Sequence, residues 1–206
     1  MPVIWIAATT LAVPSTGMPF TRSVLQSYPT WAARQGKSAA ATFDLLIDEA
    51  GKPIRCEVGQ TFGDDKLAKE ICPILMKQRC KPATLRDGKK VPGVVRSWIS
   101  MSVDQTNPFA GLKLAPDFEL QVNHLPHGAD SAEVRLVTAV DQTGAIVDCG
   151  PDIGENDNLL VDVVCASRSL LKQYPRTDNQ GNPIGYVSTT KVRLHIPEAK
   201  FAAAPQ

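Results

Sequence analysis

The chain has no long hydrophobic run, no excess of charge of either sign, and few aromatic or histidine residues. Its longest apolar stretch covers residues 3–13, much shorter than the roughly 20 residues of a membrane-spanning helix, so we expect no transmembrane anchor. Because 22 Lys and Arg residues nearly balance 21 Asp and Glu residues, we also expect no nucleic-acid partner. The hydrophobic content of 43% is typical of a folded chain.

The apolar stretch near the N-terminus has the length of the hydrophobic core of a secretory signal peptide. Small and turn-forming residues follow its core, including Ala12 and Pro14. Only Met1 and Pro2 precede it, so the basic region typical of such signals is missing. We interpret residues 1–22 as a signal peptide or N-terminal segment, and a buried first strand is the alternative interpretation.

The remainder of the chain indicates an internal duplication. A shift of 93 residues carries Asp48 to Asp141, and cysteines, turn glycines and a proline coincide under the same shift. We therefore predict two copies of one module, residues 23–103 and 118–197, with a linker at 104–117 and a tail at 198–206. The other matched pairs are Gly51 with Gly144, Cys56 with Cys149, Asp64 with Asp157, Leu67 with Leu160, Cys72 with Cys165, Pro82 with Pro175 and Gly88 with Gly181.

Each copy has the pattern of a β-β-α-β unit. Alternating apolar residues predict strands, a D-x-x-G turn joins the first two, and apolar residues at helical spacing predict a helix. The fold class is therefore α+β, with two tandem units, each a small antiparallel sheet with one helix packed on it. The predicted elements are strands at 43–47, 54–58 and 91–103 with a helix starting at Asp64 or Asp65 in the first copy, and strands at 134–140, 146–149 and 184–196 with a helix at 158–172 in the second copy.

Four of the five cysteines fall into two equivalent pairs. Each pair joins a position in the second strand of a unit to a position in its helix, and a helix packed on a sheet can bring such positions within bonding distance. We predict the disulfides Cys56–Cys72 and Cys149–Cys165, which favour an oxidising compartment. Four buried reduced cysteines are the alternative, and zinc is disfavoured because no four-ligand spacing is present.

No sequence motif of an enzyme stands out. Cys80 lies between Arg79 and Lys81, which would favour its thiolate, but no histidine is placed near it, so an unpaired bystander thiol is the better interpretation. His124 and His127 form H-x-x-H in a loop without a carboxylate partner, which is weak evidence for a metal site. We therefore expect no catalytic residue, no metal and no cofactor.

The combination of motifs resembles the TonB C-terminal domain family. In the first copy the resemblance rests on Tyr28-Pro29, the D-x-x-G turn, the two cysteines, a basic residue at the helix end and Pro82-Ala83 followed by Asp87-Gly88. It covers residues 28–103 well and residues 134–196 less well, because no Tyr-Pro precedes the second copy and Arg176 follows Pro175.

This resemblance implies a periplasmic or secreted binding protein of a Gram-negative-type envelope. Energy-transducing members of the family capture an extended peptide beside their last strand, by strand addition to an exposed sheet edge. An envelope protein or extended peptide would then be the partner, and a second copy of the chain is another candidate partner. A structural envelope protein whose edges are covered is the alternative. The edge residues implied are Val94, Val95, Arg96, Ser97, Trp98 and Ile99 in the first copy and Val187, Thr189 and Lys191 in the second.

Overall fold

A computed structural model describes residues 10–16, 26–103, 108–155 and 157–197. The fold is mixed α+β, with short helices and a majority of strands. The helices are α1 (Thr30–Arg34), α2 (Asp65–Lys69), α3 (Ile71–Leu75) and α4 (Asn158–Ala166). The strands are β1 (Ala39–Ile47), β2 (Pro53–Gly63), β3 (Ala83–Thr84), β4 (Lys90–Val91), β5 (Gly93–Met101), β6 (Phe118–Gln121), β7 (Ser131–Val140), β8 (Ile146–Pro151), β9 (Arg176–Thr177), β10 (Pro183–Ile184) and β11 (Tyr186–His195).

Seven strands form one continuous sheet. Its order is β2-β1-β5-β11-β7-β8, and β6 pairs with β11 beside this path. Two antiparallel hairpins, β3-β4 and β9-β10, form separate two-stranded sheets. The two predicted small sheets therefore merge, because the last strand of the first half, β5, pairs in parallel with the last strand of the second half, β11.

The elements recur at the same 93-residue spacing as the sequence matches. The hairpin strands β3 and β4 correspond position for position to β9 and β10, and β5 starts 93 residues before β11. Asp64 and Asp157 each cap a helix by accepting the amide of the residue three positions on, at 3.0 Å in both cases. The local structures of the two halves thus match in their turns and caps as well as in their strands.

Several predicted boundaries differ from the structure. The helix region of the first half is two short helices, because Pro73 has no amide to donate to the carbonyl of Lys69. Ala166 stands at the equivalent position of α4, which is continuous but ends there rather than at residue 172. The predicted strand at 91–103 is interrupted at Pro92, so that Val91 belongs to the β3-β4 hairpin and β5 ends at Met101.

The helices of the two halves lie on opposite faces of the sheet. In β1, Leu45 packs in a core with α2 and α3, whereas its neighbour Leu46 packs in a core with α4. Successive side chains of a strand point to opposite faces, so the two cores lie on either side of the sheet. A third core, between Leu11, the β3-β4 hairpin and strands β7 and β11, covers the face of the second half that α4 leaves open.

The segment interpreted as a signal peptide is described only over residues 10–16. There Ala12 pairs with Thr84 and Ser15 pairs with Lys81, and Leu11 is buried. Residues 1–9 and 17–22 of this segment, and the whole predicted tail at 198–206, lie outside the described residues, so the signal interpretation stays a prediction. None of the helices in the described ranges has the length and apolar character needed to cross a bilayer.

Candidate binding groove

Two grooves lie beside the point where β5 separates from β11. The two strands pair only at Gly93 with Val187 and at Val94 with Ser188. Beyond this junction β11 continues beside β6, which pairs in parallel with residues 192–195. On the same side, residues 95–99 of β5 pair with no strand among the described residues, although β1 pairs with them on the other side.

A segment of the predicted linker crosses the gap between the two strands. Residues 113–117 separate a groove of about 470 Å³ over β1, β2 and β5 from a groove of about 340 Å³ between β5 and β11. The segment ends at Asp117, whose amide donates to the carbonyl of Lys191 at 2.7 Å. The Asp117 carboxylate accepts the amide of Lys191 at 2.8 Å, and the Lys191 ammonium donates to the carbonyl of Leu114 at 3.1 Å. The linker is therefore hydrogen-bonded to β11 at this point.

An ion-pair network lies beneath this segment. The Arg96 guanidinium donates two hydrogen bonds to the Asp44 carboxylate, at 2.9 and 3.0 Å, and a third to Asp117. Arg176, from β9 of the second half, also donates to Asp44 and reaches Glu57 at 3.3 Å. These contacts join β1, β5 and the β9-β10 hairpin at the Asp44 carboxylate, and Arg96 connects the linker to them through Asp117. Asp44 is therefore the centre of the network.

The network fixes the charge state of its central residues. Burial opposes ionisation of Asp44, but the hydrogen bonds and charges of Arg96 and Arg176 outweigh it and hold the pKa of this carboxyl below its ordinary value. The hydrogen bond and charge of Asp44 in turn raise the pKa of Arg96. The floor of the groove is thus a compensated ion-pair network that keeps its charges at neutral pH.

The structure separates the predicted edge residues into three groups. Val94 and Val187 are buried at the junction, where the edges of the two last strands are used for pairing with each other. Arg96, Ser97 and Trp98 line the groove between β5 and β11, and so do Thr189 and Lys191 from the opposite side. Val95 and Ile99 lie on the other face of β5, where they pack against the core beneath α2 and α3.

Sequence reasoning missed Asp44, Asp117, Arg176 and the segment at 113–117. A signal for Asp44 was present, because it is a charged residue inside the apolar strand β1 and its counterpart under the 93-residue shift is Val137. Asp117 and Arg176 carried no comparable signal, since their roles depend on how the linker and the β9-β10 hairpin fold back over the first half.

The cysteine predictions agree with the structure. Cys56 is bonded to Cys72 and Cys149 to Cys165, with Cα atoms 5.5 and 5.9 Å apart. Cys80 is a free thiol, and burial raises its pKa, which disfavours a reactive thiolate. Within the described ranges, no group of three or more His, Cys, Asp and Glu side chains is arranged to hold a metal ion. The side chain of His127 lies outside the described residues.

Comparison of the chain with known protein families, with characterised proteins and with solved structures finds no match.

Proposed function

We propose that this protein is a non-enzymatic, periplasmic or secreted binding module that captures an extended segment of an envelope protein beside β5. The observation that carries the proposal is the separation of β5 from β11 after Val94, which opens the edge of residues 95–99 onto two grooves. An unpaired strand edge presents backbone donors and acceptors to an incoming strand, and flanking grooves give its side chains a place to bind.

The second half contains an internal example of this kind of pairing. Strand β6 is only four residues long and lies in parallel along the outer edge of β11. Its Phe118 and Leu120 side chains pack against the core beneath α4, while Glu119 and Gln121 are exposed. The last strand of this unit therefore accepts a short extended segment with alternating apolar and polar residues.

The family resemblance and the paired cysteines also support a duplicated architecture and a location of the protein in an oxidising compartment. We propose that the chain consists of two tandem units related to the TonB C-terminal domain, whose sheets are joined at β5 and β11. The equivalent helix caps and equivalent cysteine pairs support this duplication. Two disulfides support a periplasmic or secreted location, because such bonds persist mainly in oxidising compartments.

A structural envelope protein without a binding function is the second candidate. The junction of Val94 with Ser188 and of Gly93 with Val187 favours it, because this pairing closes part of both predicted edges. The linker contacts of Asp117 and Leu114 with Lys191 cover a further part of the β11 edge. The two functions differ in whether a peptide binds beside residues 95–99.

Selection of binders from a displayed library of random peptides tests the proposal on the full chain. We expect selected peptides to bind in an extended form, and their affinity to depend on the backbone amides that face β5. Methylation of alternate amide nitrogens should abolish binding at one set of positions and leave the other set nearly unaffected, because only every second amide of a strand faces a given edge. Failure to select any peptide, or equal tolerance of methylation at all positions, would contradict strand addition and favour the structural protein.

A pair of tryptophan variants locates the binding site. Trp98 lines the groove between β5 and β11, whereas Trp31 packs against the core beneath α2 and α3. We expect Trp98→Ala to weaken peptide binding by at least about tenfold, because buried aromatic anchors dominate binding energy. Trp31→Ala should stay within about twofold of the original affinity. Equal losses in both variants would show that binding depends on overall stability rather than on this groove.

A further inference from the structure

The outer face of α4 presents a stripe of exposed apolar side chains. Leu159 is 63% exposed and Val163 is 42% exposed, and Leu170, in the 3-10 turn after the helix, is 76% exposed. Leu159 and Val163 are four residues apart, so they lie on the same side of the helix. The opposite side of α4 already supplies the core, through Leu160, Val161 and Val164, so among the described residues the stripe is not part of that core.

The first half shows that the fold does not need apolar residues at these positions. Under the 93-residue shift, Leu159 corresponds to Lys66, Val163 to Glu70 and Leu170 to Lys77. The Lys66 ammonium lies 4.3 Å from the centre of the Trp31 ring. Clustered exposed apolar residues mark interaction surfaces. The charged residues at the equivalent positions of the first half provide a comparison for the stripe within the same chain.

Charged residues of both signs lie beside the stripe, in positions that would complement those of a second copy. Asp162 lies at the middle of α4, whereas Arg168 and Lys172 follow its C-terminal end. Arg168 donates to the carbonyl of Cys165 at 3.1 Å, which holds its guanidinium beside the end of the helix. If two α4 helices pack antiparallel, Leu159 of each copy faces Leu170 of the other, and Asp162 faces Arg168. A two-fold interface of this kind is self-complementary in both shape and charge.

We propose that the protein forms a homodimer through antiparallel pairing of α4 and the 3-10 turn that follows it. The proposal does not rest on peptide capture, because the stripe lies on the outer side of α4 and contributes no residue to either groove beside β5. The stripe is short compared with interfaces of about 800 Å² per partner, so the association should be weak, on the order of micromolar.

Sedimentation equilibrium of the full chain tests the dimer. The triple variant Leu159→Lys, Val163→Glu and Leu170→Lys introduces the residues that the first half carries at the same positions, so its fold should be unchanged. We expect it to raise the dimer dissociation constant at least about 100-fold, because six apolar side chains would lose their contacts. Met76→Lys, at an exposed apolar residue of the first half, should change it less than about threefold. A monomeric original chain at roughly 500 μM, well above the micromolar range, or a triple variant that still dimerises, would overturn the proposal.

A charge exchange tests the antiparallel arrangement itself. Asp162→Arg and Arg168→Asp should each weaken the dimer by about fivefold or more, because each places like charges opposite one another. The double variant should restore the original affinity to within about twofold. Additive weakening in the double variant would overturn the antiparallel arrangement. Loss of the dimer in Cys80→Ser alone would overturn it as well, since it would show a dimer linked through the free thiol.

Discussion

The last strands of the two halves, β5 and β11, start 93 residues apart and have different surroundings. Strand β11 is paired with β7 along one edge and with β5 and β6 along the other. Strand β5 is paired with β1 along one edge, but on its other edge the described residues pair with it only at Gly93 and Val94. Strands at equivalent positions of the two halves therefore differ: β11 is paired along both edges, and β5 opens onto a groove.

The same contrast applies to the residues beside these strands. Asp44 and Arg96 form ion pairs in the open groove, whereas their counterparts are Val137, which is buried, and Thr189. Leu11 and the β3-β4 hairpin cover Val137, while the linker covers the first half only in part. The two halves therefore differ both in the residues on this face of the sheet and in the segment that covers it.

The largest expected effect tests whether the two halves are built on equivalent turns. Gly51 and Gly144 have φ values of 79° and 86°, and a Cβ would lie 2.1 Å from the Cys80 carbonyl oxygen and 2.2 Å from the Gln173 carbonyl oxygen. Replacement of either by Ala should cost more than about 3 kcal/mol, because backbone strain adds to a clash with a fixed carbonyl. Chemical denaturation measures the free energy of unfolding.

Gly181→Ala is the matched control for these variants. Gly181 has a φ of 87°, but no heavy atom lies within 4 Å of the position that a Cβ would take, so only the backbone strain remains. We expect a cost of about 1 kcal/mol. A Gly51 variant as stable as the Gly181 variant, beside a strongly destabilised Gly144 variant, would show that the two turns are not equivalent.

The two disulfides give the next largest effect. Both close loops of the same length, so removal of either pair by double substitution with Ala should cost about 3 kcal/mol. Denaturation of Cys56→Ala/Cys72→Ala and of Cys149→Ala/Cys165→Ala compares the halves directly. Loops of equal length should give nearly equal losses in the free energy of unfolding. A difference of more than about 2 kcal/mol between the two double variants would therefore show that the halves differ in their unfolded state or in strain of the folded state.

The strands, turns, helix caps and cysteine pairs of each half were predictable because local patterns determine them. Asp48 accepts the amides of Ala50 and Lys52 at 3.0 and 2.8 Å, as expected for a D-x-x-G turn. The joining of the two sheets was not predictable, because the parallel contact of β5 with β11 depends on the placement of the whole second half. Strand β6 was also missed, since four residues are too few to show a reliable alternation.

The candidate groove was predictable only in part, for the same reason. The family resemblance implied an edge at residues 94–99, and of these Arg96, Ser97 and Trp98 line the groove between β5 and β11. The covering linker and the Arg176 contact are long-range features, because Arg176 lies 132 residues from Asp44 in the sequence. No local pattern encodes which charged residue of one half will meet the other.

The smallest expected effect concerns the charge of the open groove. Because the pKa of folded Asp44 is below its ordinary value of 3.8, its contribution to stability is present above that value. It is lost as the pH falls through the lowered pKa of the folded state. Asp44→Asn should therefore cost about 1 kcal/mol at pH 7, discounted for solvent screening, and the cost should shrink below about pH 4.

Val137→Thr provides a comparison at the equivalent covered position. It places a polar side chain in the apolar core under Leu11 and should destabilise the protein by a similar or larger amount at every pH, because its effect is desolvation rather than titration. Unfolding measured from pH 3 to pH 7 separates the two, since only the Asp44 variant should approach the original protein in acid. A pH-independent cost for Asp44→Asn would instead mean that the carboxylate stabilises the protein through its shape and neutral hydrogen bonds. The sheet face at Asp44 would then resemble the covered face at Val137, in that its contribution to stability would not depend on charge.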